Sequence, residues 1–433
     1  MPSETGPAVR RLDDWDADRL RGIAGEYGTP LYVVDPERVR ENLRRFRNAF
    51  PAAGIRYASK ANAGPAVLST AADEGAGVEV ASPGELRRVR AAGFDPERIL
   101  YTAVNPPAAD LDALVEFWHD APELTVTAGA VDTLDRLAER GFDGRLALRV
   151  NPGVGAGHDE AVHIGADPQF GVPGDRAVEV ARRAADRFDL VGVHAHVGSG
   201  ILDDDLDRYR AAVERLGNLA GRIDGAVDGG LEFVDAGGGL GVPYRPDRDP
   251  LALDAAADVV REALSGVDAD LRLEPGRYLV ADAGVLLTRV NTRKETPGTV
   301  VAGVDASLAT LVRPAMFDAY HPIRNLSADG GDPAGGASGS GEDRPTEEVT
   351  VGGPVCSGAD TFCSDRSLAR PERGDVLAIG MAGSYGYELA SRFHCRPLPG
   401  EVALRDGDVT VSRRAESIED VESVLPSDGD PGA

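Results

Sequence analysis

The sequence predicts an α/β fold: a (β/α)8 barrel of the TIM type joined to a separate all-β domain. Three observations predict it. Eight short β-branched runs alternate with amphipathic stretches over about 220 residues, the rhythm of a parallel barrel. The first run leads into ASKANAG (58–64), which is not the Gly-rich phosphate loop that the rival, a doubly wound sheet, usually carries there. Beyond residue 280 strand-like runs continue, but no long helical stretch separates them.

In chain order, the first 34 residues begin MPSETGPAVRRLDDWDADRL, with no apolar stretch of signal-peptide length, and run into the strand-like TPLYVVD (29–35) at the barrel's start. They are expected to pack on the all-β domain. PERVRENLRRF (36–46) reads as a helix opening the barrel, assigned to residues 35–280. Its strands are IRYAS, VEVAS, ILYTAV, LTVTA, LALRVNP, LVGVHAHVGSG, LEFVDAGGGLG and LRLEPGRYL. PGELRRVRAAG, AVDTLDRLAERG, RAVEVARRAADRF and LDAAADVVREAL have the three-to-four spacing of helices between them. The β-domain, residues 1–34 with 281–410, takes its strands from VLLTRVNTRKE, GTVVAGVDAS, EEVTVGGPVC, GDVLAIGMAG and DGDVTVSR. SADGGDPAGGASGSGEDRPTEE (327–348) reads as a disordered low-complexity insertion, and residues 420–433 as a flexible tail.

Composition narrows the partners. Lys plus Arg total 46 against 72 Asp plus Glu, a net charge of −26. A field of that sign repels nucleic acid and acidic membranes. It fits a protein kept soluble in very high salt, and fits a high-GC genome with an acidic surface equally well. Three cysteines, Cys356, Cys363 and Cys395, make neither a disulfide framework nor zinc-ligand spacing, and no metal is expected. With no run of 18 apolar residues, the expectation is a reduced cytoplasmic protein without a membrane span.

Only Lys60 and Lys294 are lysine. A lysine amine can lose its proton and form a Schiff base, whereas a guanidinium stays protonated. Lys60 is therefore either a covalent lysine or the chance survival of a surface charge. Its position helps to decide, because barrel chemistry sits where strands end at their C-termini. Lys60 ends the first strand, HAHVGSG (194–200) the sixth, AGGGLG (236–241) the seventh and EPGR (274–277) the eighth. Consecutive glycines can turn N–H groups toward a phosphate, and Ser199 can add a hydroxyl. A tight turn explains the glycines as well. His196 can lie against a flat ligand or serve the structure alone. Glu274 needs a cationic partner, either a protonated ring nitrogen or an arginine such as Arg277. Lysine, phosphate grip and carboxylate on one rim suit pyridoxal 5′-phosphate.

YASKAN, HVGSG, DAGGGLG, EPGR, LVRPAMFDAYH, GGPVC and AGSYGYELAS occur in an order and spacing that resemble the diaminopimelate decarboxylases. These are fold-type III pyridoxal-phosphate enzymes, related to alanine racemase and eukaryotic ornithine decarboxylase, and the resemblance spans residues 25 to 405. It implies decarboxylation of meso-2,6-diaminopimelate to L-lysine by a homodimer with shared sites. Lys60 would carry the cofactor and His196 pack on its ring. Ser199, Gly237, Gly238, Gly239, Arg277 and Tyr385 would surround the phosphate, and Glu274 would pair with the ring nitrogen. Cys356 would be the proton donor, delivered from the partner subunit. Arg277 and Arg313 would bind the distal carboxylate.

The chain departs from the family pattern at three places. Ser357 stands where a glutamate usually pairs with the distal ammonium, with Asp360 the candidate replacement three residues on. Phe317 stands where a tyrosine helps hold the distal carboxylate, and ASRFHC replaces an ASxYN ending. Ser357, Phe317 and Tyr385 are accordingly substrate-site candidates. Losing one charge-assisted hydrogen bond weakens binding by about 1.5–3 kcal/mol. Two alternatives stay open: a paralogous decarboxylase in polyamine or siderophore synthesis, and a non-catalytic cofactor-binding protein, for which a proton donor at Cys356 has no use.

Overall fold

The computed structural model describes residues 6–156, 169–328, 344–405 and 407–426. These form two compact units. One comprises Val39–Pro243 and Asp249–Leu279; the other comprises Pro7–Arg38, Tyr244–Arg248 and the described residues from Val280 onward.

The first unit is a closed parallel barrel. Its strands are Gly54–Ala58, Gly77–Val80, Ile99–Ala103, Thr125–Ala128, Arg145–Asn151, Asp189–His194, Phe233–Asp235 and Asp270–Leu273. Each pairs with the next, and the eighth returns to the first through Arg272 opposite Gly54. The strands read as nearly unbroken apolar runs because the barrel interior covers one face and helices the other. Between strands the helices start where the sequence provides caps. Ser82 accepts the Glu85 N–H at the head of Pro83–Ala91, while Glu85 accepts the Ala81 N–H at 2.6 Å. Such a cap contributes about 1 kcal/mol. Leu206–Asp224 buries Tyr209, Ala212, Val213, Leu216, Ala220 and Ile223, one stripe at helical spacing.

Among its described residues the second unit is a nine-stranded mixed sheet. Leu31–Val34 lies at its centre, antiparallel to Gly284–Thr296 and parallel to Gly400–Arg405. Alternation sets two cores. Tyr32 and Leu286 face one with Val304, Val351 and Leu377; Leu31, Val33, Val285 and Leu287 face the other. The second core is closed by Leu20, Ile23 and Ala24 of the helix Ala17–Tyr27. An internal ion pair, Arg38 with Asp282 at 2.7 Å, is almost wholly buried, and Asp282 also accepts the Arg10 N–H.

Two segments differ from the sequence reading. The ends of the 327–348 insertion are ordered: Leu326–Ala328 is a 3-10 turn, and Thr346–Gly352 pairs in parallel with Thr299–Val304. Its middle, 329–343, lies outside the described residues. The tail begins later than 420, because Ile418–Glu422 is a helix capped by Ser417, which accepts the Asp420 N–H. Residues 427–433 also lie outside the described part.

Candidate active site

Lys60 follows the first barrel strand in a 3-10 turn, Ser59–Ala61. The turn is held from both sides: Tyr57 Oη–H donates to the Asn62 carbonyl at 2.8 Å, and Asn62 Oδ1 accepts the Gly64 N–H at 2.8 Å. Lys60 Nζ donates to Glu79 Oε2 at 2.9 Å. Glu79 is buried at 2% side-chain exposure, while Lys60 keeps 38%. Burial alone would raise the Glu79 carboxyl, but the Lys60 charge and hydrogen bond outweigh it and hold it below its ordinary range.

The ends of strands six, seven and eight are laced to one another by main-chain bonds. Ala195 N–H donates to the Asp235 carbonyl at 2.9 Å, Glu274 N–H to that of Gly237 at 2.8 Å, and Ile201 N–H to that of Gly239 at 2.9 Å. Gly237 and Gly239 adopt φ of +68° and +102°, which L side chains rarely do. At Gly238 a Cβ would stand 2.2 Å from the Glu274 carbonyl oxygen. The glycines are thus required by close backbone approach. Gly238 N–H donates to His196 Nδ1 at 3.1 Å, so the proton of this imidazole sits on Nε2. Burial, with Lys60 and Arg149 nearby, keeps that ring well below its ordinary pKa, although the residue as a whole is only half-buried. Arg277 Nη2 donates to Ser199 Oγ at 3.2 Å.

Beneath the rim lies a buried set of which the sequence reading singled out Glu274 alone. Arg56, Glu79, Arg149, His194, Asp235 and Glu274 are all buried. Their signal was one charged or polar side chain inside an apolar strand, as in GVEV or GVH. His194 Nε2 lies 3.3 Å from Glu274 Oε2. The charged form of each is disfavoured, because burial pushes His194 down to about 4 and pushes Glu274 up to about 8, with Glu79 adding to the latter. Asp235 rises to about 6 through burial and then Glu274, and its Oδ1 accepts the Gly237 N–H at 2.8 Å. The three could bring ligand atoms within 4.8 Å of one another.

Among the described residues, Glu274 Oε1 and His194 Nδ1 are buried without a hydrogen-bond partner. A carboxyl with one oxygen unmet and its pKa raised is a site for a cation. A protonated ring nitrogen supplies one, and the amine of Lys60 and the glycine turns supply an anchor and a phosphate cradle. The residues present fit pyridoxal 5′-phosphate.

The remaining candidates, Arg313, Phe317, Cys356, Ser357 and Tyr385, belong to the second unit. Arg313 opens the helix Arg313–Phe317 and is buried; Phe317, its last residue, is half-buried. Cys356 is exposed. Asp360 does not replace the missing glutamate. It is buried, with Oδ1 accepting the Leu308 N–H at 2.5 Å and Oδ2 the Val355 N–H at 2.6 Å, so it shapes the Cys356 loop from inside. Ser357 Oγ accepts the Ala359 N–H at 3.2 Å within the same loop. Tyr385 has φ +53°, a left-handed backbone that is costly for a large side chain and frequent at ligand sites.

The sequence model described as pyridoxal-dependent decarboxylase, pyridoxal binding domain, matches residues 36–281. The chain is 43% identical over 413 residues to a diaminopimelate decarboxylase of Methanothermobacter thermautotrophicus, covering 92% of each chain. It is 33% identical over 408 residues to that of Aquifex aeolicus, again covering 92% of each. Among solved structures it is similar to the diaminopimelate decarboxylase of Helicobacter pylori complexed with L-lysine. There the TM-score is 0.82 and the identity 29%, over 93% of this chain and 98% of that one.

Proposed function

The chain belongs to the diaminopimelate decarboxylase family, and from that premise we propose that it converts meso-2,6-diaminopimelate into L-lysine and CO2, with pyridoxal 5′-phosphate as cofactor. The observation that carries this reading in the chain itself is Glu274, a buried carboxyl with an oxygen unmet among the described residues, on the rim that also bears Lys60 and the glycine turns.

When bound, the cofactor supplies an electron sink for the pair left behind by CO2. Lys60 would hold it through its amine, which Glu79 would orient and stabilise in its charged form until the amine reacts. Glu274 would keep the proton on the ring nitrogen. His196, held neutral by the Gly238 N–H, would pack against the ring. Ser199, Gly237, Gly238, Gly239, Arg277 and Tyr385 would meet the phosphate. Arg277 and Arg313 would take the distal carboxylate, and Cys356 would hand a proton to the carbon that lost CO2. Phe317 and Ser357 would line the distal end, with looser hold than the usual tyrosine and glutamate.

Two finer readings accompany this one. Cys356 and Tyr385 serve the partner subunit of a homodimer, and the acidic, arginine-rich surface belongs to a high-salt cytoplasm. Among the described residues no helix is long and apolar enough to cross a membrane.

The test is CO2 and L-lysine release from meso-diaminopimelate, with lysine and ornithine as competitors, followed by borohydride reduction and peptide mapping. Release from meso-diaminopimelate alone, with the cofactor mass on Lys60, is the expected outcome. A preference for ornithine or lysine would favour a paralogous decarboxylase, and cofactor on Lys294 would overturn the site.

A further inference from the structure

Arg313 is held by more than its own helix. Its Nη1 lies 3.0 Å from His321 Nε2, and His321 Nδ1 lies 2.8 Å from the Gly380 carbonyl oxygen. A carbonyl only accepts, so Nδ1 carries the imidazole proton and Nε2 accepts from the guanidinium. His321 has 0% exposure, so water does not compete for either contact. The ring of Tyr244 completes the mount. The Arg313 guanidinium carbon lies 4.5 Å from its centroid, and Tyr244 meets His321 edge-on at 5.3 Å. The Tyr244 hydroxyl is 3.1 Å from Ser384 Oγ, next to Tyr385 in sequence.

An imidazolium in this position would oppose one N–H to another and set two positive charges side by side. A carboxylate would hold the guanidinium firmly and cancel its charge. A neutral imidazole and an aromatic face orient the group without themselves adding a negative charge to it.

We propose that His321 is a positioning residue that presents Arg313 to the distal carboxylate of the substrate, as a neutral acceptor locked in one tautomer by Gly380. The inference rests on the reading of Arg313 as a carboxylate ligand. Its consequence is selective: discrimination for a carboxylate depends on His321, while binding of the carbon chain and amines does not.

The test compares two ligands of the holoenzyme by titration calorimetry. L-lysine, the product, keeps the distal carboxylate; cadaverine is the same chain without it. The native protein is expected to prefer L-lysine by about tenfold or more, the size of one charge-assisted contact. His321→Asn can still reach Gly380 but not Arg313, and should lose about tenfold of that preference with cadaverine binding unchanged. KM for meso-diaminopimelate should rise by a similar factor, with kcat moving less than about threefold. His321→Gln restores an acceptor near Nε2 and should restore the preference. His321→Leu stands in where His321→Asn does not fold. Equal weakening of both ligands would mark a merely structural histidine and overturn the proposal. So would retained preference in His321→Asn or His321→Leu when Arg313→Gln has lost it. Retained preference in Arg313→Gln would instead sink the underlying reading of Arg313.

Discussion

Replacing Glu79 by glutamine keeps the side chain's shape and removes the charge 2.9 Å from Lys60 Nζ. The magnitude follows from Coulomb's law. At that separation, an effective dielectric of roughly 40 to 80, high because Lys60 is more than a third exposed, gives about 1.4–3 kcal/mol. That energy favours the ammonium, so its loss should move deprotonation of Lys60 about one to two pH units lower. The chain makes the measurement clean, since Lys60 and Lys294 are its only lysines and Lys294 is exposed. The apoprotein would be acetylated briefly at a series of pH values and both sites quantified by mass spectrometry, with Lys294 as the internal standard. In Glu79→Gln the Lys60 profile should shift to lower pH while that of Lys294 stays put. Superimposable Lys60 profiles would mean that the ion pair does not hold in solution, and the role given to Glu79 would fall.

Two further outcomes are expected. Mixing inactive Lys60→Ala and Cys356→Ala chains should restore up to about one-quarter of native activity, because half the dimers are mixed and each then has one intact site; no recovery despite demonstrated subunit exchange would put Cys356 in its own chain's site. With a net charge of −26, activity and melting temperature should rise toward molar KCl as repulsion is screened. A protein equally stable in dilute buffer would leave genome composition as the source of the acidity.

Much of the barrel was legible because each strand carries its signal locally, and because Lys60, the glycine run and Glu274 all fall where strands end. Residues whose meaning depends on the tertiary partner were not legible. Glu79 is one acid between two valines in sequence and becomes the partner of Lys60 only when the first two strands pair, Ala58 opposite Glu79. Asp360 read as a spare carboxylate near Cys356, yet both its oxygens accept main-chain N–H groups, one of them from Leu308, far away in sequence. The strand Thr361–Ala369 escaped because TFCSDRSLA lacks a β-branched run and is fixed by pairing with Thr346–Gly352. His321 ended a motif whose arginine drew the attention. Nothing local marks it as the group that aims that arginine.

The lacing of strands six, seven and eight bears on how the cofactor comes and goes. A phosphate grip made of mobile loops must be ordered by the ligand, and part of the binding energy offsets that ordering. Here the three strand ends are bonded to one another through their own peptide groups, at distances of 2.8 to 2.9 Å, and none of these bonds takes a phosphate as partner. The cradle is a property of the barrel. An apoprotein built so should capture its cofactor at a rate set by encounter and by the chemistry at Lys60, with no folding step between. It should also survive losing the cofactor with its rim intact, ready to be loaded again.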